Sequence, residues 1–333
     1  MLSSVPAPQI AIGELLWDML PSGPRLGGTT TNFAVLSARL GEYAALISCV
    51  GEDELGQEAV DRLQGLTSGE SERNHLDLTG IQRSSDLPTG TVSVTLDGEG
   101  RPRYGINSPV AWDAIAVNPA LIALASGAAV ICFGTLAQRH EASRSSIRSL
   151  IEAAGPDCTR VCDLNLRMPF CSEEVVRWSL AHTDVLKVSD EELSEVGRLL
   201  GDPVITQGLA GAKDSAESLT SAATDCAAAL LGIAPQCKLV AITLGPHGSL
   251  LMDRKRSFRH NGYVVKVVDT IGAGDAFTAG LVHAYLQGAT LEGISAVSNR
   301  CGSHVASQPG ATPELPEELR QEIRRLLGQG GSE

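Results

Sequence analysis

Short apolar runs alternate with longer helical patterns along most of the 333 residues, and this rhythm constrains the fold more than any other property of the chain. Runs at 44–50, 128–133, 160–164, 185–188, 239–244 and 263–268 are short and apolar, several of them β-branched. Helix-like stretches lie between them, at 32–40, 56–66, 141–154, 173–181, 191–200 and 215–231. Alternation of this kind predicts an α/β fold: a mostly parallel central sheet covered by helices on both faces, a three-layer αβα sandwich. Ligands of such sheets bind beyond the carboxyl ends of the strands. Asp163, Ser189 and Asp275 each follow one of the runs, so they are expected on one rim.

One segment breaks the rhythm. Residues 90–96 alternate at period two, Asp97-Gly98-Glu99-Gly100 turns, and 103–106 returns. This predicts a hairpin projecting from the α/β array, suited to cover a site or to pair with a second subunit. A further helix is expected in the Glu/Arg-rich tail after Pro313, and a solvated hairpin tip at Arg254-Lys255-Arg256.

The chain is long enough for one large α/β domain or two smaller ones. With 26 basic against 39 acidic residues its net charge is −13, which argues against nucleic acid or an anionic membrane surface as partner. An anionic substrate must then be met by local donors. The eight cysteines stand singly, without Cys-x-x-Cys or zinc spacing, so reduced thiols and a cytoplasmic location are expected. Neither a secretory signal nor a run of membrane-spanning length is visible.

The most chemical stretch is Val267-Val268-Asp269-Thr270-Ile271-Gly272-Ala273-Gly274-Asp275, followed by a helical pattern at 276–286. Strand, glycine turn and helix together aim backbone N–H groups at an anion, because the first helical turn lacks internal acceptors and carries the positive dipole end. Asp275 beside that turn can take a proton, and a phosphate cradle with an adjacent base is the minimum equipment for phosphoryl transfer. The competing reading, a structural turn with Asp275 as a cap, is favoured for the Gly-Ala-Gly-Asp tetrapeptide alone. A second glycine pair, Gly27-Gly28, precedes Thr29-Thr30-Thr31-Asn32 and an amphipathic helix pattern. It reads either as a loop with an N-cap among residues 29–32 or as a close backbone approach to a ligand, with Asn32 offering a donor and an acceptor.

Taken together, these residues resemble the ribokinase-like (PfkB) carbohydrate kinases, and within them fructokinases. Asp269-Thr270-x-Gly272-Ala273-Gly274-Asp275 is similar to the family's C-terminal signature, and Gly27-Gly28-x-x-x-Asn32 to its N-terminal one. Gly13-Glu14-Leu15-Leu16-Trp17-Asp18, Leu136-Ala137-Gln138-Arg139, Asp163-Leu164-Asn165-Leu166-Arg167 and Gly310-Ala311-Thr312-Pro313 resemble fructokinase segments in the same order. No Walker A motif is present, in keeping with this separate route to phosphoryl transfer.

The resemblance implies a ribokinase-like fold in which 1–13, 27–89 and 107–333 form the kinase domain and 14–26 with 90–106 form a β lid. It implies Asp275 as base, the backbone of Gly272, Ala273 and Gly274 as phosphoryl cradle, and Arg167 near the acceptor or the γ-phosphate. Asp18, Gly28 and Asn32 would bind sugar. Ser189, Thr243, Gly245, Gly248 and Asn299 would lie on the nucleotide side. Mg²⁺ would be organised near Glu192, and a monovalent cation, K⁺, near Asp269. ATP and a free monosaccharide, fructose first, are the implied substrates. Separately, the alternating hairpin at 90–106 needs a partner for its apolar face, which predicts a homodimer through the lid. Ribose, 2-keto-3-deoxygluconate, a nucleoside, or a catalytically weak sugar-binding role stay open.

Two departures bear on these roles. Ser189-Asp190-Glu191-Glu192 stands where the family often has Asn-x-x-Glu, and Ser-x-x-Glu is equally a helix capping box. Thr29-Thr30-Thr31 stands where fructokinases usually show Ala-Pro-Ala, which bears on the sugar's identity. The lone histidines His247 and His283 are assigned no part in proton transfer.

Overall fold

Four residues outside the predicted runs, Gln9–Ile12, form the first strand (β1), and all four are buried. A computed structural model describes residues 6–21, 23–67, 75–96, 102–212 and 215–328, and these divide into two compact units.

The first unit comprises 1–133 and 137–158. After β1 come β2 (Leu16–Leu20), β3 (Gly23–Gly27), α1 (Thr29–Arg39), β4 (Tyr43–Gly51) and α2 (Glu54–Thr67). The short β5 (His75–Asp77) and β6 (Ile81–Ser84) lead to β7 (Gly90–Leu96) and β8 (Pro102–Ile106), then α3 (Pro119–Ser126), β9 (Val130–Gly134) and α4 (Glu141–Ala153). β1 runs parallel to β4 on one side and β9 on the other. β4 also carries β5 and β6, each in parallel register along a different stretch. The strands β1, β4 and β9 are nearly continuous apolar runs, as parallel strands covered on both faces require. Their Ile10, Ile12, Leu46, Ile47 and Phe133 are fully buried.

A separate four-stranded sheet in this unit has the order β3-β2-β7-β8. β2 pairs with β3 antiparallel and β7 parallel, and β7 returns to β8 antiparallel. The segments expected to leave the array therefore make one sheet, with the hairpin at 90–106 as one half; its turn at 97–100 lies outside the described residues. Val92 on that hairpin is buried within the protomer, only 6% exposed.

The second unit, 134–136 with 159–333, holds β10 (Thr159–Asp163), α5 (Glu173–Ala181), β11 (Val185–Ser189), α6 (Asp190–Leu200), α7 (Pro203–Gln207), α8 (Ala216–Ile233) and β12 (Leu239–Thr243). It continues with β13 (Ser249–Asp253), β14 (Ser257–His260), α9 (Ala273–Leu286), α10 (Leu291–Ala306) and α11 (Glu317–Gly328). β10, β11 and β12 are parallel, and β13 and β14 add an antiparallel edge. The Arg254-Lys255-Arg256 run sits between β13 and β14 as the expected hairpin tip. The α/β class and its mostly parallel sheet are thus as the rhythm predicts, with a small β sheet beside them.

Residues 263–268 do not form the expected strand. Val264, Val267 and Val268 are all more than half exposed, and the chain is held instead by Val268 and Asp269 N–H groups donating to the Ala306 carbonyl. β-branched residues favour extended backbone, but a strand exists only where a neighbour completes its ladder.

Candidate active site

The turn before α9 is built around backbone rather than side chains. Gly272 is the N-cap of α9 in the left-handed conformation, φ 78°. A Cβ there would lie 2.5 Å from the Ala311 carbonyl oxygen, so both torsion and space demand glycine. Ala276 N–H closes the first helical bond onto Gly272 C=O at 2.9 Å. Ala273 N–H donates back to Thr270 C=O at 3.2 Å, which tightens the turn, so of the three amides expected to cradle an anion that of Ala273 is already engaged within the protein. Gly274, unlike Gly272, has ordinary negative φ, and what crowds it is a neighbour: a Cβ there would lie 3.3 Å from Lys187 Nζ.

Asp269 ties this turn together from outside the helix. One carboxylate oxygen accepts from Ile271 N–H (3.0 Å) and the other from Gly310 N–H (3.2 Å). Asp275 stands on the first turn of α9, half-buried.

Beside the turn sits a buried ion pair that sequence reasoning missed. Lys187, on β11, places Nζ 3.0 Å from Asp163 Oδ1 at the end of β10, with side chains 8% and 1% exposed. The second Asp163 oxygen accepts from Thr278 Oγ1 of α9 at 3.0 Å. Burial alone would pull the Lys187 pKa down, but the carboxylates of Asp163, Glu192 and Asp275 outweigh it and hold it above 10.5. For Asp163, burial dominates and lifts its carboxyl above the usual range. The ammonium is the direction to stand behind, since three carboxylates face it. The only available signal was the oddity of one lysine inside the apolar Val185–Ser189 strand, since parallel strands buried on both faces rarely hold an unpaired charge. Asp163, Ser189 and Asp275 do meet in this unit, through Lys187 and Glu192.

Both carboxylate oxygens of Glu192 accept hydrogen bonds. One oxygen accepts from Ser189 N–H and Oγ–H, both at 2.7 Å, and the other from Leu166 N–H. The capping box is therefore formed, and it links the start of α6 to the segment after β10. Among the described residues no three His, Cys, Asp or Glu side chains gather to cage a metal. Arg167 is exposed, one guanidinium nitrogen donating to the Leu166 carbonyl at 3.0 Å.

Of the residues expected to flank a nucleotide, Ser189 and Thr243 are register partners at the ends of β11 and β12. Gly245 opens, and Gly248 closes, the short 3₁₀ turn that follows. Asn299 is buried, and its amide donates to Ser249 Oγ and to Ser295 C=O, both at 2.8 Å, joining α10 to β13.

In the first unit, Gly28 is the N-cap of α1 at φ 108°, and a side chain there would run into the Glu14 carbonyl. The helix thus begins at Thr29, ahead of the expected N-cap among residues 29–32. Thr30 and Thr31 donate their hydroxyls to that same carbonyl, at 3.2 and 2.9 Å. These two threonines are buried and committed to the fold, so they fasten the glycine turn to Glu14. Asn32 is 5% exposed on the same turn of α1. Asp18, half-buried on β2, presses its carboxylate against Gly27, where a Cβ would meet Oδ2 at 2.5 Å. All eight cysteines are buried and none is in a disulfide.

The sequence profile described as "pfkB family carbohydrate kinase" matches residues 24–318. "Probable fructokinase-7" of Arabidopsis thaliana is 28% identical over 340 residues, covering 92% of this chain and 89% of its own. An uncharacterized sugar kinase of Pyrococcus horikoshii, solved in complex with ATP, is 25% identical with a TM-score of 0.75, covering 96% of this chain and 99% of its own. A fructokinase from Vibrio cholerae O395, solved in fructose-, ADP- and calcium-bound form, is 25% identical with a TM-score of 0.71, covering 95% and 99%. With the family match spanning most of its length, the chain belongs to the pfkB family of carbohydrate kinases, enzymes of the phosphotransferase class.

Proposed function

We propose that this protein transfers the γ-phosphoryl group of ATP to a hydroxyl of a free monosaccharide, with fructose as the preferred acceptor. The observation that carries this reading is the left-handed Gly272 turn opening α9, with Asp275 on its first turn and the Lys187 ammonium beside Gly274. Donors fixed by the fold stabilise charge as it develops, at little reorganisation cost. Asp275 receives the hydroxyl proton. The amides of the first turn of α9 and the Lys187 charge hold the transferring group, and Arg167 lies close to the phosphates. Asp18, Gly28 and Asn32 hold the sugar; Ser189, Thr243, Gly245 and Gly248 flank the nucleotide, and Asn299 stiffens their support. Support for the substrates comes from the ATP-bound and fructose-bound relatives.

A coupled ADP-release assay across fructose, ribose, 2-keto-3-deoxygluconate and a nucleoside should give the highest kcat/KM with fructose. A higher value for another acceptor reassigns the substrate within the same reaction. ATP binding without turnover on any of them supports instead a catalytically weak sugar-binding protein.

Mg²⁺ when bound neutralises the β/γ-phosphates, and Glu192 with the triphosphate is where it would be held. Turnover should therefore vanish in excess EDTA and return with added Mg²⁺; undiminished activity in the chelator would rule this out. K⁺ near Asp269 belongs to the same proposal. The small sheet, 14–26 with 90–106, is proposed as the lid. A homodimer through it should sediment at twice the chain mass at micromolar concentration. Since Val92 is already buried within the protomer, such an interface must use other residues of the sheet.

A further inference from the structure

Where the β7–β8 hairpin joins the rest of the first unit, its two ends are held by one short 3₁₀ turn, Ala111–Ala114. At the outgoing end, Gly90 lies against the indole Nε1 of Trp112 so closely that no side chain fits. Thr89, just before it, is fastened by Asp53, which accepts from its N–H at 2.7 Å and its hydroxyl at 2.6 Å. At the returning end stands Asn107, whose carbonyl accepts from an Arg139 NH2 group at 2.7 Å. Asn107 in turn holds β7: its N–H donates to Thr91 C=O at 3.2 Å and its amide to Thr91 Oγ1 at 2.6 Å.

Arg139 is the link between these ends. Its guanidinium forks onto Asp113, with Nε to Oδ1 at 2.8 Å and NH2 to Oδ2 at 2.7 Å. It lies 3.9 Å from the centre of the Trp112 ring, and both members of the ion pair are almost wholly buried, 3% and 2% exposed. Asp113 also accepts from Val110 N–H at 3.0 Å, closing its own turn. A buried fork of this kind is a weak source of net stability against an apolar replacement. What it supplies is direction, because a planar guanidinium with two fixed acceptors and a ring beneath it has little freedom.

The strand thus held is the neighbour of the one bearing Asp18. Trp17 is in register with Thr91, and Asp18 with Val92, in the parallel pair β2–β7. Arg139 therefore reaches Asp18 through Asn107, Thr91 and one strand pairing. We infer that Arg139, with Asp113 and Trp112, is a positioning residue for sugar binding, setting where the small sheet carries Asp18. The inference rests on the reading of Asp18 as a sugar ligand. The role is distinct from catalysis, since Arg139 is held by protein groups and lies outside the proposed phosphoryl machinery.

Arg139→Met keeps a long side chain on Trp112 and removes the fork. Because it strands a buried carboxylate, the double variant Arg139→Met/Asp113→Leu provides a folded counterpart. Two measurements are made on the full chain. Hydrogen exchange of the unliganded protein should show amides of 16–20 and 90–93 exchanging about tenfold faster, with β10–β12 unchanged. With fructose as probe, KM should rise about tenfold while kcat stays within about threefold and the KM for ATP is unmoved. Arg139→Lys, which keeps charge without the fork, should recover only part of the fructose KM. A folded double variant with wild-type exchange in 16–20 and 90–93 overturns the inference, and so does faster exchange with an unchanged fructose KM. Asp18→Ala serves as the separating control: if it leaves fructose KM unchanged, or if fructose is no substrate, the sugar-site reading fails, and the exchange measurement alone decides whether Arg139 positions the sheet.

Discussion

Asp275→Asn should lower kcat by roughly 10²–10⁴ with little change in sugar KM, because the amide keeps size and hydrogen bonding but cannot accept the proton. The substitution lies on a helix whose first turn is otherwise closed by backbone, Ala276 to Gly272 and Ala273 to Thr270, so the fold should survive it. Steady-state kinetics with circular dichroism of the purified variant make the check. Near wild-type turnover would falsify the assignment of Asp275 as base and return the Gly-Ala-Gly-Asp turn to a purely structural part.

Lys187→Met should be the most damaging single change to the fold and should silence the enzyme as well. Asp163 is 1% exposed, and without Lys187 it keeps only the Thr278 hydroxyl. Leaving one partner of a buried pair uncompensated costs about 3–5 kcal/mol, enough to consume much of a typical domain's stability. Denaturant unfolding should show this as a lower midpoint. Because the Lys187 pKa is raised above 10.5 in the folded protein, its contribution is complete below pH 10.5 and is lost as pH climbs through the folded value. The part of the destabilisation that comes from the Lys187 charge should therefore shrink as pH climbs beyond about 10.5. If the variant unfolds like wild type at neutral pH, the pair is not the fastening described. If it is stable and turns over normally, Lys187 has no part in the phosphoryl site either.

The contrast between these two residues shows what a sequence displays and what it hides. Asp275 announces itself because glycine spacing and a helix start are local, and a left-handed N-cap almost requires the residue found at 272. Lys187 does not, because its partner is 24 positions away and meets it only once β10 and β11 pair. The parallel strands were legible as apolar runs. The run at 263–268 looked the same but has no ladder partner, and composition cannot report the absence of a neighbour. β1 was too short to stand out, although its position between β4 and β9 makes it central. Glu192 was left between metal and cap by its sequence, and its hydrogen bonds to Ser189 and Leu166 now account for both carboxylate oxygens. Likewise Thr30 and Thr31, which stood out as a departure bearing on the sugar, spend their hydroxyls on Glu14.

The turn at 269–275 also has a consequence for how this protein can vary. Its shape is imposed from behind, by Ala306 accepting two backbone N–H groups, by Gly310 donating to Asp269, and by Ala311 packed against the Cα of Gly272. A recognition surface made of main chain is largely indifferent to which side chains surround it. Mutational sensitivity thereby extends from the turn itself to a small residue some forty positions downstream. Enlarging Ala311 would press on the Gly272 backbone and reshape the turn, although Ala311 itself offers no polar side chain to any substrate. The demand for glycine at 272 is thereby matched by a demand for a small residue at 311.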